Sequence, residues 1–317
     1  MLKTAICDLF GIEHPVIQGG MAHLGTAELA SAVSNAGGLG IIGAGSAEPD
    51  WVRQQIQLTR QRTNKPFGVN ILVTSPFVEP VVKAILAEKV AVVTTGDGNP
   101  GVYISWFKRA GIKVMSVVAS VDLARRLEQA GVDAIVAEGA ESGGHVGKTT
   151  TMVLVPQVVD SVRIPVVAAG GIGDGRGLAA ALALGAQGVQ VGTRFICSDE
   201  CIAHLKYKEK ILEADDQSTV VTGQVTGRHS VRGLPSRLTQ QLMALEQAGI
   251  SPEELDLFSR GRMYVGEIEG DVDEGWLLSG QIVGLIKEIK PVKVIIDEMV
   301  AETEAVIAGL KNSHRGD

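Results

Sequence analysis

Aromatic residues are scarce, at 4% of 317 residues, while glycine is abundant, at 39. With so little aromatic volume, the 45% of hydrophobic residues have to pack as close Ala, Val and Gly layers, a habit of α/β chains. Cysteine is also rare: Cys7, Cys197 and Cys201 form neither an even disulfide set nor a C-x-x-C pair, which excludes a disulfide framework and fits a reduced compartment. Cys197 and Cys201 can share a helix face, but no His or further Cys stands at ligand spacing, so buried thiols and no metal site are expected. A dense Lys/Arg tract is missing too, and at a net charge of −7 the chain lacks the electrostatics that hold a nucleic-acid backbone. No apolar run approaches the roughly 20 residues that cross a bilayer. Met1 to Phe10 contains Lys3 and Asp8 without a cleavable signal pattern, so no membrane partner and a cytoplasmic location are expected.

What is present is a rhythm. Short Val/Ile-rich runs bounded by turn residues recur at 14–20, 39–45, 66–72, 90–96, 113–118, 134–139, 165–172 and 188–195. Their starts lie 21 to 31 residues apart, about the length of one βα unit. Helical patterns fill the gaps, with Ser75-Pro76, Ser120 and Asp174 as starts and Gly37, Gly111, Gly131 and Gly185 as stops. Strands apolar on both faces belong to a parallel sheet, and eight such units predict closure into a (β/α)8 TIM barrel; an open doubly wound sheet is the alternative.

The rhythm breaks after Arg194. Residues 1–197 are read as the barrel and 198–270, richer in charge and without strand alternation, as an inserted helical cap. Ser251-Pro252-Glu253-Glu254 has the form of a capping box with Pro at the first helical position. The helical spacing from Gly280 to Leu310 suggests that residues 271–317 return to the barrel wall.

In a parallel barrel, functional groups collect on the loops after the strand carboxyl ends. The unusual residues fall there: Gln18-Gly19-Gly20-Met21-Ala22, Asn70, Thr94 to Gly98 with Asp97, Glu138 followed by Ser142 to Lys148, then Gly170-Gly171 and Gln190-Val191-Gly192-Thr193. Backbone N–H groups of Gly171, Gly192 and Thr193, helped by the helix starting near Asp174, are suited to a phosphate. These glycines can also serve merely to shape tight turns. His145, between two glycine pairs, is the candidate for proton chemistry because an imidazole titrates near neutrality. His14, His204, His229 and His314 lack such a setting and read as surface or structural.

QGGMA, GVN, TTG, EGAESGGHVGK, AAGGI and QVGTRF together resemble the nitronate monooxygenase and enoyl-ACP reductase II superfamily of FMN proteins over nearly the whole length. The resemblance implies one FMN per barrel and no metal in the chemistry. It places Gly20, Met21 and Ala22 against the flavin ring and gives Asn70 and Glu138 its polar contacts. Gly143, Gly144, Lys148, Gly170, Gly171, Gln190, Val191, Gly192 and Thr193 would hold the remainder and the phosphate, and His145 would be catalytic.

Glu138 and Lys148, with segments around His229 to Arg232, Arg237 to Thr239 and Glu269 to Asp273, are most similar to enoyl-ACP reductase II. That subgroup implies reduction of the trans-2 double bond of an enoyl-ACP or enoyl-CoA thioester by NADH or NADPH, the last step of fatty-acid elongation. Oxidation of alkyl nitronates with O2 is the alternative within the superfamily. A flavin-free barrel for a phosphorylated metabolite is the alternative outside it. His23, Asp97 and Trp276 to Ser279 depart from the subgroup pattern: His23 stands where a bulky aromatic is usual, and Asp97, where a small residue is usual, reads as a solvated loop carboxylate, with a monovalent-cation site of the kind that subgroup can carry as the alternative. A homodimer is expected by analogy with other capped barrels.

Overall fold

The computed structural model describes residues 2–225 and 230–313, so His229 and His314 lie outside the described residues. The strands in chain order are β1 (Val16–Gln18), β2 (Gly40–Gly43), β3 (Phe67–Leu72), β4 (Val92–Gly96), β5 (Lys113–Val118), β6 (Ala134–Glu138), the two-residue β7 (Gly144–His145), β8 (Val166–Ala169), β9 (Gly188–Val191), β10 (Val220–Thr222) and β11 (Val231–Gly233). Eight of them form one parallel sheet in the order β1-β9-β8-β6-β5-β4-β3-β2, with helices between successive strands. This is the TIM barrel that the eight runs predict.

The seam between β1 and β2 closes the ring. A parallel bridge joins Ile17 to Leu39, and the Gln18 side chain continues the pairing where the backbone ladder ends. Its Nε2 donates to Ile41 O at 2.8 Å and its Oε1 accepts from Ile41 N at 3.2 Å. A buried amide thus stands in for a strand's donor and acceptor.

Strand alternation divides the core in two. Ile17, Ile41, Val92, Met115, Val136 and Val167 fill the barrel interior, while Val16, Ile42, Val93, Val114, Ile135 and Val166 face the helices. The helix Ala5–Phe10, which the strand rhythm does not foreshadow, sends Ile6, Cys7 and Phe10 into the interior cluster and plugs the amino-terminal end of the strands, where Thr4 Oγ1 donates to Gln187 O just before β9.

Ser120 and Asp174 cap their helices as the sequence predicts, and the Ser251 capping box forms with Glu254. Ser75 does not: the helix begins at Val78, and Ser75 Oγ accepts from Phe77 N in the preceding turn. Nor do Cys197 and Cys201 share a helix face, because the short helix Thr193–Ile196 ends before both. Both thiols are buried, which pushes them up to about 12 and about 11.

The cap segment is more than helical. It contributes Leu205–Glu213, Arg237–Gln247, Pro252–Ser259 and Arg262–Glu267, but also β10 and β11, which join β7 in an antiparallel three-stranded sheet. Strands of three residues are too short for alternation to register, so the sequence reading missed them. Residues Val292–Ser313 form a helix that packs on Gly175–Ala183, where Thr303 Oγ1 donates to Gly175 O at 3.0 Å. Among the described residues, no helix is long and apolar enough to cross a membrane.

Candidate active site

One cavity of about 610 Å³ opens at the carboxyl ends of the barrel strands and reaches under the cap. Its walls include Gly20, Met21, Ala22, Asn70, Glu138, Gly143, Gly144, His145, Gly170, Gly171, Gln190, Gly192 and Thr193, so thirteen of the fifteen residues singled out from sequence meet around one space. Stretches more than 170 positions apart in the chain converge there, which is the geometry expected of a barrel whose loops share one rim.

Two candidates do not reach it. Val191 is 1% exposed and packs outward with Val189, because the strand's period of two sends Gln190 inward and its neighbours toward the helices. Lys148 is exposed and does not line the cavity, since Ala140 N donates to Thr149 O and this pinch turns the loop's end away. The helix after Asp174 also differs from expectation. Its first N–H groups are taken by the Asp174 and Glu302 carboxylates, at 2.7 to 3.2 Å, which leaves no donor and no net positive end for a phosphate.

The floor of the cavity is polar. Asn70 Nδ2 donates to Thr94 Oγ1 at 3.0 Å, which fixes the amide across the end of β3. Gly20 is required for this arrangement: a Cβ there would lie 2.3 Å from Asn70 Cγ. Glu138, at the end of β6, is pushed up to about 7 by burial, with the Ser142 hydroxyl pulling the other way. Ser142 Oγ is itself buried, with no hydrogen-bond partner of ordinary geometry among the described residues. Near neutrality the Glu138 carboxyl can therefore act as donor or acceptor for a ligand.

Glycines make the rim. Gly170, at φ 89°, is held so tightly that a Cβ would stand 2.8 Å from Gly139 O, while at Gly192 a Cβ would meet, among the described residues, only Met21 Sδ, at 3.8 Å. A larger side chain at Gly192 would grow into the cavity. Bare backbone on this rim, polar groups on the floor and the apolar Met21, Leu72 and Val117 beside them suit a flat heteroaromatic ring with a polyhydroxy phosphate tail. The residues present thus fit FMN.

His145 lies on β7, exposed at the cavity's edge, with Val231 of the cap as its strand partner. Arg232 ties the same loop down, donating from Nε to Ala140 O at 3.1 Å and from Nη1 to Thr219 Oγ1 at 2.9 Å. His14 and His204 stay outside the cavity, and His204 Nδ1 accepts from Lys206 N at a helix start. Asp97 lines the cavity at φ 60° and accepts from the Thr74 hydroxyl. No group of three or more His, Cys, Asp or Glu suited to a metal occurs among the described residues.

Sequence reading missed Glu141 and Glu267. Glu141 accepts from Thr151 N and Oγ1 at 2.9 Å, anchoring the loop that carries His145 to the next helix. Glu267 comes from the cap's charged stretch, where nothing in the pattern separates a buried carboxylate from a solvated one. Both line the cavity.

The family model for nitronate monooxygenase matches residues 3–84 and 76–302. FabK from Thermotoga maritima is similar in structure, with a TM-score of 0.96 and 50% identity over 99% of this chain and 100% of that one. A probable nitronate monooxygenase of Staphylococcus aureus (strain JH9) is 37% identical over 77% of this chain and 81% of its own. The (3aS,4S,5R,7aS)-5-hydroxy-7a-methyl-1-oxo-octahydro-1H-indene-4-carboxyl-CoA dehydrogenase of Rhodococcus jostii (strain RHA1) is 33% identical over 95% of this chain and 96% of its own.

Proposed function

We propose that this chain, which belongs to the nitronate monooxygenase family, is an FMN-dependent reductase of the trans-2 double bond of enoyl thioesters carried on acyl carrier protein or CoA. The observation that carries this reading is the single cavity in which the glycine rim, the polar floor and His145 meet, in a chain 50% identical over almost its whole length to FabK. FMN, when bound, supplies two-electron hydride transfer, with NADH or NADPH as the source of electrons.

The protein's part is to hold and protonate. Asn70, Glu138 and Gln190 would meet the polar edges of the flavin and its ribityl chain, while Gly170, Gly171, Gly192 and Thr193 would approach the phosphate with backbone. Met21 and Ala22 would pack against the ring. His145, at the cavity edge, would give a proton to the substrate's α-carbon once the β-carbon has received hydride. The cap covers this space and reduces access of water to the reacting atoms.

Anaerobic titration tests the proposal. NADH or NADPH should bleach the flavin of the purified protein, and an enoyl-CoA or enoyl-ACP should restore the colour. The second reading, oxidation of alkyl nitronates, is favoured by the family model itself. Bleaching by a nitronate and not by NAD(P)H would replace the reductase with that activity. A protein unable to take up FMN would sink both.

A further inference from the structure

His23 and Glu267 face each other across the junction of barrel and cap. His23 lies in the loop after β1, two residues beyond Met21, and Glu267 ends the cap helix Arg262–Glu267. His23 Nδ1 stands 3.5 Å from Glu267 Oε2; the carboxylate side chain is 3% exposed and the imidazole 38%. Both facing atoms are sealed from solvent, and neither has a hydrogen-bond partner of ordinary geometry among the described residues, so at 3.5 Å the two stand in charge contact, a short approach from a formed hydrogen bond. Tyr264 stacks edge-on against the imidazole at 5.6 Å and restricts its rotation. The ring's remaining exposure is therefore on its other edge, and His23 lines the cavity.

Burial holds the Glu267 carboxyl above its ordinary range, with His23 partly offsetting that cost. Tyr207 and Cys201 also couple to Glu267, and burial keeps both neutral at pH 7, Tyr207 well above its usual value and Cys201 at about 11. They bring no compensating charge. A net charge buried here is costly, so the couple is favoured in its net-neutral forms. Three exist: carboxylate with imidazolium, carboxylic acid donating from Oε2 to Nδ1 of a neutral imidazole, and carboxylic acid protonated on Oε1 with Oε2 accepting from Nδ1–H. The third leaves Nε2 bare and sets the acid proton on the oxygen turned away from His23, against the Leu278 backbone N–H that donates to this carboxyl; in the other two Nε2 bears a hydrogen.

We infer that His23, oriented by Glu267, presents an Nε2–H donor to the cavity that binds the carbonyl oxygen of the thioester substrate. It rests on the enoyl-thioester reading. When hydride adds to the β-carbon, the double-bond electron pair moves toward the carbonyl and charge develops on that oxygen as an enolate; the α-carbon then takes a proton from His145 and the carbonyl re-forms. His23 transfers nothing. Its donor is already in place when the charge appears, which is the condition under which a hydrogen bond lowers a barrier most. Glu267 is a positioning residue, acting only through His23.

The test uses flavin-loaded protein and a saturated acyl-CoA labelled with 13C at the thioester carbonyl, which binds without turning over. Infrared difference spectra should show the bound carbonyl stretch displaced to lower frequency relative to free thioester. His23→Asn, chosen because Asn tolerates the left-handed backbone seen at His23 (φ 60°), should abolish the displacement, and Glu267→Gln should diminish it. Loss of about 10²–10³-fold in the rate of flavin reoxidation by enoyl-CoA is expected in His23→Asn, with reduction by NAD(P)H unchanged. A wild-type band at the free position, or a displaced band that survives in His23→Asn, overturns the role of His23 and leaves the reductase reading standing. Wild-type protein that binds no acyl-CoA or acyl carrier protein thioester overturns both.

Discussion

Val231 of the cap lies directly opposite His145 as its antiparallel strand partner, so the residue assigned proton chemistry is paired to the cap and not to the barrel that carries it. Arg232, the next residue, reinforces this link by donating to Ala140 O and Thr219 Oγ1. Cap and loop are one unit.

Arg232→Ala should therefore slow turnover through a misplaced His145 while leaving flavin affinity unchanged. Losing hydrogen bonds from a charged donor should also cost about 1.5–3 kcal/mol of stability. Steady-state kinetics, flavin fluorescence and urea denaturation measure the three effects. If Arg232→Ala lowers turnover equally in the wild-type and His145→Ala backgrounds, it does not act through His145.

His145→Ala should retain FMN and its reduction by NAD(P)H, yet lose about 10²–10⁴-fold in the step that consumes enoyl thioester. Rapid-mixing absorbance at the flavin band separates the two half-reactions. Full activity in the variant would remove His145 from the proton-transfer role.

Gly20→Ala forces a methyl group to 2.3 Å from Asn70 Cγ, and the amide must leave its bond to Thr94. Flavin affinity should fall at least about tenfold, the equivalent of 1.4 kcal/mol. Gly309, inside the helix Val292–Ser313, whose would-be Cβ meets nothing within 4 Å among the described residues beyond its own helix backbone and chain neighbours, is the matched control. There the same substitution should stabilise the protein by up to about 1 kcal/mol and spare flavin binding. Equal flavin loss in both variants would show that Gly20 is not a special position.

Glu138 gives a pH signature in flavin-free protein. Its folded value, about 7, lies above the ordinary glutamate value of 4.5, so the folded state holds a proton that the unfolded chain releases. The stability associated with this proton is complete below pH 4.5 and is lost as pH rises through 7. The shift corresponds to about 3 kcal/mol, each unit being about 1.4 kcal/mol. Glu138→Gln, which mimics the protonated form, should match wild type at the acid end and exceed it above neutrality in urea denaturation. A stability difference that does not vary with pH would show that the carboxyl ionises normally.

The eight strands were legible because a strand buried on both faces must be apolar along its length, and burial is what the barrel does to each of them. Gly20 and Gly170 were legible for a related reason, since close backbone approach admits no other residue. Period two also held the answer for Val191, which follows the inward-facing Gln190 and so must point to the helices. The three-residue strands of the cap were not legible, nor was Glu267, whose charge looks like that of any surface carboxylate until the cap closes over it.

Sequence alone determined the barrel, its order and the loops that gather at one rim, because repeated local patterns of apolar and turn residues encode βα units without reference to distant parts of the chain. Tertiary structure decided what those loops face. Pairing of β7 with β11, the closing of β1 onto β2 through Gln18, and the meeting of His23 with Glu267 are contacts between distant segments. Their free energy comes from burial and partner choice, which no local pattern records.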